Sequence, residues 1–184
     1  MASINDTIDN WANLSIGNSF KKNDIIKYHG FFWYCLKDHV KAGPPTDEPD
    51  TTNGSEYWGG VTQLQNGQKI PLFVWVPSYT STVQHKPYVT TIRFGNGYEQ
   101  RVPKSINPDL KTFQLNFDQR TEYEARAITH FLKEKSATKS FGYNPPGIYT
   151  ESSYRTRFVC REWETNFAFK ENYGIRAKFE EVSA

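Results

Sequence analysis

The chain is short of the residues that usually advertise chemistry. Its 184 residues hold two cysteines, Cys35 and Cys160, and four histidines, His29, His39, His85 and His130. The cysteines lie in separate strand-like runs, which argues against the disulfide framework of a small secreted domain. The histidines fall in turns, a loop and a helix, none with a second ligand two or four residues away, so no metal centre is read and no cofactor site is implied. No apolar run approaches the roughly 18 residues of a membrane helix. The opening MASINDTIDNWANL lacks the basic segment and apolar stretch of a secretory signal. Neither sign of charge dominates: the net is +2, which gives no general pull toward nucleic acid or anionic membrane. The expectation is synthesis in a reducing cytoplasm, with no membrane insertion and no sequence-specific nucleic acid partner.

What is abundant is aromatic surface. Thirteen Phe, eleven Tyr and five Trp make 16% of a chain whose mean hydropathy is −0.71. Flat, bulky rings in a polar chain suit pleated sheets. The fold class expected is mainly β: a small N-terminal β module plus a C-terminal β-sandwich or barrel with one helix.

The charge balance shifts near residue 60. Residues 1–62 carry five Lys/Arg against eight Asp/Glu, and residues 63–184 carry seventeen against twelve. The stretch GGVTQLQNGQK is polar, glycine-bearing and aperiodic, which sets the domains at 1–60 and 71–184 with a linker at 61–70. In the first module DIIKYHGFFWYCLKDH reads as two strands about His29-Gly30, followed by a long loop through Pro44, Pro45 and Pro49 that ends in Tyr57-Trp58.

In the second module PYVTTIRFG is a strand and Asn96-Gly97 a tight turn. A long polar connection then leads to LKTFQLNFD, where Phe113, Leu115 and Phe117 alternate with polar residues. TEYEARAITHFLKEKS is the one helix, with a capping box from Thr121 to Glu124, an apolar stripe at Ala125, Ile128 and Phe131/Leu132, and Lys133 and Lys135 near its negative end. Pro145-Pro146-Gly147 breaks the chain. Three strands follow, SYRTRFVCREW, TNFAFK and YGIRAKFEEV, the last with Ile175, Ala177 and Phe179 inward.

Catalytic readings are weak throughout. FGNGYE lacks the third glycine and following helix of a nucleotide loop, so it reads as a hairpin turn. No nucleophile elbow occurs. Glu162 and Glu164 flank a strand as solvated carboxylates do, and spacing alone does not make a glycosidase pair. Arg155, Arg157 and Arg161 alternate on one strand and Arg176 and Lys178 on another. These form either a solvated face or a rim that meets acidic neighbours in an assembly. No catalytic residue is assigned and the chain is read as a non-enzyme.

Residues from about 71 to 182 resemble the minor tail protein M family of lambda-like phages. The likeness is carried by FVWVP, IRFGNGYEQRVPKSINPDLKTFQL, ITHFLKEKSATKSF, NPP, VCREW and FEEV, in that order. It implies a structural protein of the virion tail tip: a distal-tail ring, hexameric, that joins the tail tube protein to the tail hub proteins. On that reading the long connection 100–109 reaches a neighbouring subunit or the ring above. The first module, FKKNDIIKYHGFFWYCLKDHVKAGPP…EYW, is similar to small chitin-binding carbohydrate-binding modules, although Lys37-Asp38 stand where many of those carry a tryptophan pair.

That second likeness makes Trp33, Tyr57 and Trp58 candidates for stacking on a sugar, and Asp38 and His39 candidates for its hydroxyls; Trp33 and Trp58 also suit the core of so small a unit. The function expected is therefore a tail-tip ring subunit whose outward N-terminal module contacts host-surface glycan. The alternatives are a glycan-binding adhesin and a cell-wall hydrolase carrying an accessory module.

Overall fold

The turn at His29-Gly30 forms as the sequence predicts, with both residues at positive φ, 47° and 81°. In the computed structural model, which describes residues 8–64, 66–104, 109–145, 156–169 and 171–182, that turn joins β2 (Ile25–Tyr28) to β3 (Phe31–Cys35). The break at Pro146-Gly147, Arg155 and residues 105–108 of the polar connection lie outside the described residues. A third strand, β5 (Trp58–Gly59), pairs with β3, and the short β1 (Ser19–Phe20) pairs with β4 (His39–Val40).

Strand β3 serves two cores at once, because successive side chains of a strand point to opposite faces. Trp33 and Cys35 join Trp11, Phe20, Ile26, Tyr28 and Trp58 in a small aromatic cluster. Tyr34 and Phe32 face the other way, into the main core. There Tyr34 lies 4.8 Å from Trp75 and 6.0 Å from Phe131 between ring centroids, and its hydroxyl is hydrogen-bonded to His130 Nδ1 at 3.1 Å. Asn23 Oδ1 adds a second tie by accepting from Trp75 Nε1 at 3.0 Å.

The stretch read as a linker is built as sheet. β6 (Val61–Gln63) pairs antiparallel with β7 (Lys69–Phe73), and both belong to a seven-stranded sheet. The corner into it is Gly60, whose φ is +106°. A Cβ there would sit 2.6 Å from the Tyr34 ring, so only glycine fits both the backbone and the space.

The remaining strands of that sheet are β8 (Thr82–Gln84), β11 (Thr112–Arg120), β12 (Phe141–Tyr143), β13 (Arg157–Phe169) and β14 (Asn172–Val182). Their spatial order is β6-β7-β12-β13-β14-β11-β8, antiparallel except where β12 meets β7. Two predicted strands, VCREW and TNFAF, are one continuous β13, with a register shift between Cys160 and Glu162. Beyond Gln114 the free edge of β11 is covered by side chains of an irregular segment: Ser81 Oγ accepts from Asn116 N and Ser78 Oγ from Asp118 N.

Helix α1 (Glu122–Lys135) packs its predicted stripe against one face of this sheet. Thr121 caps it by accepting from Glu124 N, while the Glu124 carboxylate accepts from Arg120 rather than closing the box. Lys135, expected beside the dipole, is buried, paired with Glu134 and 5.2 Å over the Phe131 ring. Phe73 on β7 and Phe117 on β11 are four strand steps apart, about 19 Å on a flat sheet. Their rings nonetheless lie 5.6 Å apart, and Phe73 meets Phe179 at 5.0 Å. The sheet therefore curls around this ring cluster, and α1 covers the open side. The architecture is mainly β with one helix, as the sequence predicts.

Candidate assembly surfaces

One element stands apart from the main sheet. β9 (Val89–Arg93) and β10 (Glu99–Pro103) form a two-stranded sheet of their own. The polar connection predicted after Asn96-Gly97 is thus the returning strand of a hairpin, paired from Glu99–Arg93 to Pro103–Val89. Gly97, at φ 85°, supplies the turn. Phe94 N donates to Tyr98 O at 2.8 Å at the tip, and Lys104 N to Tyr88 O at 3.0 Å at the base. His85 and Asp109, 2.7 Å apart, join the two ends of the segment.

Pairing fixes the two faces of this arm. Thr90, Ile92, Phe94, Tyr98, Gln100 and Val102 share one face; Arg93, Glu99 and Arg101 share the other. Ile92, Phe94, Tyr98 and Val102 are all exposed, Tyr98 to 75%. A lone two-stranded hairpin is marginal in water without a partner for its apolar face. The ladder also makes the edges unequal. With the even-numbered residues of β9 bonded across it, the N–H groups of Val89, Thr91 and Arg93 point outward, while on the opposite edge Pro103 holds an outward position with no N–H to offer.

A second surface is the sheet face opposite α1. Gln114, Lys178 and Glu162 form one row across three strands, and Asn116, Arg176 and Glu164 the next. Arg176 pairs with Glu164 at 3.2 Å, Lys178 with Glu162 at 3.4 Å and Glu180 at 3.0 Å, and Arg161 with Glu180 at 3.4 Å. Hydrogen bonds to Glu180 and Glu162 raise the Lys178 pKa above the ordinary lysine value. Arg161, Arg176 and Lys178 thus meet acidic neighbours within the same sheet.

The five residues proposed for sugar contact are gathered only in part. His39, Tyr57 and Trp58 meet, with ring centroids 4.6 and 5.1 Å from His39. Trp33 and Trp58 are 5% and 2% exposed, and their indole N–H groups donate to Tyr28 O and Asp47 O. Asp38 accepts from Lys22 N at 2.7 Å. Tyr57 is half-buried under the Lys37 ammonium, 4.4 Å from its ring. Of the three candidate rings, Tyr57 is the one that reaches solvent.

Sequence spacing gave no sign of one alignment in this module. Cys35 Sγ lies 3.5 Å from His39 Nδ1, and His39 Nε2 lies 3.8 Å from Asp47 Oδ2. The order thiol, imidazole, carboxylate is that of an activated nucleophile, yet the environment is wrong for one. Cys35 is 1% exposed, its thiol donates to Lys37 O at 2.9 Å, and burial pushes its pKa up to about 12. The Asp47 carboxylate already accepts from Ala42 N and Gly43 N. Among the described residues no cluster of His, Cys, Asp and Glu could hold a metal, and no helix is long and apolar enough to cross a membrane.

A sequence model of the family described as phage minor tail protein matches residues 71–183, which takes in the arm, the seven-stranded sheet from β7 onward and α1. The chain belongs to that family. It is similar to tail tip protein M of Escherichia phage lambda, 31% identical over 110 residues that span 60% of this chain and 95% of that protein. Both candidate surfaces lie within the matched residues, and a phage minor tail protein is a structural component of the virion tail that associates with other tail components. Residues 1–70, including the small aromatic core, lie outside the match.

Proposed function

We propose that this minor tail protein is a subunit of a homo-oligomeric ring, hexameric, at the tail tip between the tube and hub proteins, acting without catalysis. The observation that carries this reading is the β9–β10 arm, an amphipathic hairpin with four exposed apolar residues and unpaired strand edges, the β9 edge the richer in donors. Such an element gains stability when another subunit covers it, and a contact between different patches of identical chains closes into a ring when the rotation allows. The charge-paired sheet face faces the axis. The helix and the N-terminal module, fixed to that helix through Tyr34 and Phe32, then point outward.

The test is quantitative mass spectrometry of purified tails together with immunogold labelling of an N-terminal tag. Six copies per tail and label at the tip, away from the axis, are expected. One copy per tail, or label along the tube, refutes the reading. As an adsorption aid the outward module would offer Tyr57 to a sugar; glycan binding by the full chain that survives Tyr57→Ala would remove that role.

A further inference from the structure

We propose that the groove between α1 and the tip of the β13–β14 hairpin receives the apolar face of the β9–β10 arm from a second copy of this chain, an inference that rests on the ring reading. The groove has a volume of about 630 Å³ and is walled by the outer side of α1 and by Trp163, Phe167 and Tyr173. Phe167 is 77% exposed and braced edge-on by Tyr173 at 5.5 Å. A large aromatic held in place on an otherwise polar surface marks a contact site.

The exposed aromatics fall into two groups on the molecule. Tyr88, Phe94 and Tyr98 are on the arm; Phe167 lines the groove and Tyr123 lies next to its Glu122 wall. Tyr79 is the one large exposed ring of the described residues outside both groups. Within one chain the arm's apolar face is uncovered, so the two groups meet only between copies.

Charge favours the same pairing. On its apolar face the arm carries the cation Lys104, 4.7 Å over the Tyr88 ring, while Arg93 and Arg101 lie on the other face paired with Glu99. The groove contains both signs: Arg126 and Lys133 on the helix, with Glu122 and Glu134. Glu134 is already taken by Lys135 and Lys139. Glu122, at the helix start, lines the groove and has no ion pair among the described residues, so its carboxylate is the groove's partner for Lys104.

Tyr98 is the probe position, because it lies on the arm's apolar face next to the tip. The full-length chain carrying benzoyl-phenylalanine in place of Tyr98 is assembled into tails, irradiated, and its cross-links mapped by mass spectrometry. Cross-links from one copy to residues 122–134 or 163–173 of another are expected. Phe167→Ala, at a site too exposed to affect folding, should lower their yield about tenfold. Cross-links to another part of the chain, to a different tail protein, or none at all overturn groove docking; if tails still hold several copies, the ring reading survives. A single copy per tail overturns the ring reading itself.

Discussion

Replacing Tyr34 by alanine should weaken the small aromatic module and the main body together. The ring is 2% exposed and sits against Trp75, Phe131 and His130. Truncating a buried aromatic side chain costs about 3–5 kcal/mol, the spread reflecting how far the site can collapse. Gly60 and Trp75 bound this one closely, which favours the upper half of that range. The hydroxyl bond to His130 accounts for about 1 kcal/mol of the total, so Tyr34→Phe separates it from ring packing.

An unfolding entropy of about 2.1 cal/mol/K per residue gives roughly 0.4 kcal/mol/K for a chain of this length. The alanine variant should therefore melt about 10 °C lower and the phenylalanine variant about 2–3 °C lower. Circular dichroism follows the whole fold. Tryptophan emission divides between Trp11, Trp33 and Trp58 in the small core and Trp75 and Trp163 in the body. Both signals should move together in the wild type and separate in Tyr34→Ala. A loss below about 1 kcal/mol with coincident transitions would mean that β3 does not join the two cores energetically.

Three further outcomes can be checked. Gly60→Ala combines positive φ with a Cβ 2.6 Å from the Tyr34 ring and should cost at least ~2 kcal/mol in urea midpoint analysis. Burial lowers the His130 pKa below its ordinary value of 6.5, against the pull of Glu134 and with the push of Lys135, Arg126 and Lys133. The unfolded chain therefore takes up this proton first, and the stability is intact above about pH 6.5 and falls as pH drops through that value. Urea midpoints at pH 7.5 and 5.5 should differ less in His130→Gln than in wild type. The thiols of Cys35 and Cys160, both buried with pKa raised to about 12, should resist an aromatic disulfide reagent at pH 8 until denaturant is added; prompt reaction of either in the native chain would contradict its burial.

The elements legible in the sequence were those whose pattern is local. Alternation at Phe113, Leu115 and Phe117 and the stripe of α1 point inward as read. What was hidden depended on pairing. β6 and the start of β7 lack a period because each is short and gains order from its neighbours in the sheet. β10 was obscured by its polarity, although an Asn-Gly turn after a strand requires a returning partner and YEQRV supplies one. β13 continues past Glu164, where sequence suggested two strands, because β14 offers an unbroken ladder opposite. For the proposed sugar contacts, an aromatic residue in a small module reads the same whether it faces solvent or forms the core; only the structure separates Tyr57 from Trp33 and Trp58. The groove beside α1 carried no linear signal, since its walls come from segments about forty residues apart.

Pro103 has a consequence for the time before the virion is built. An unsatisfied hairpin that could recruit strands on both flanks would nucleate fibrils in the crowded infected cell, each added copy exposing a fresh template. With an imino acid taking one of the three outward donor positions on the β10 flank, beside Glu99 and Arg101, that flank is the poorer template, and stacking through it is held by fewer bonds.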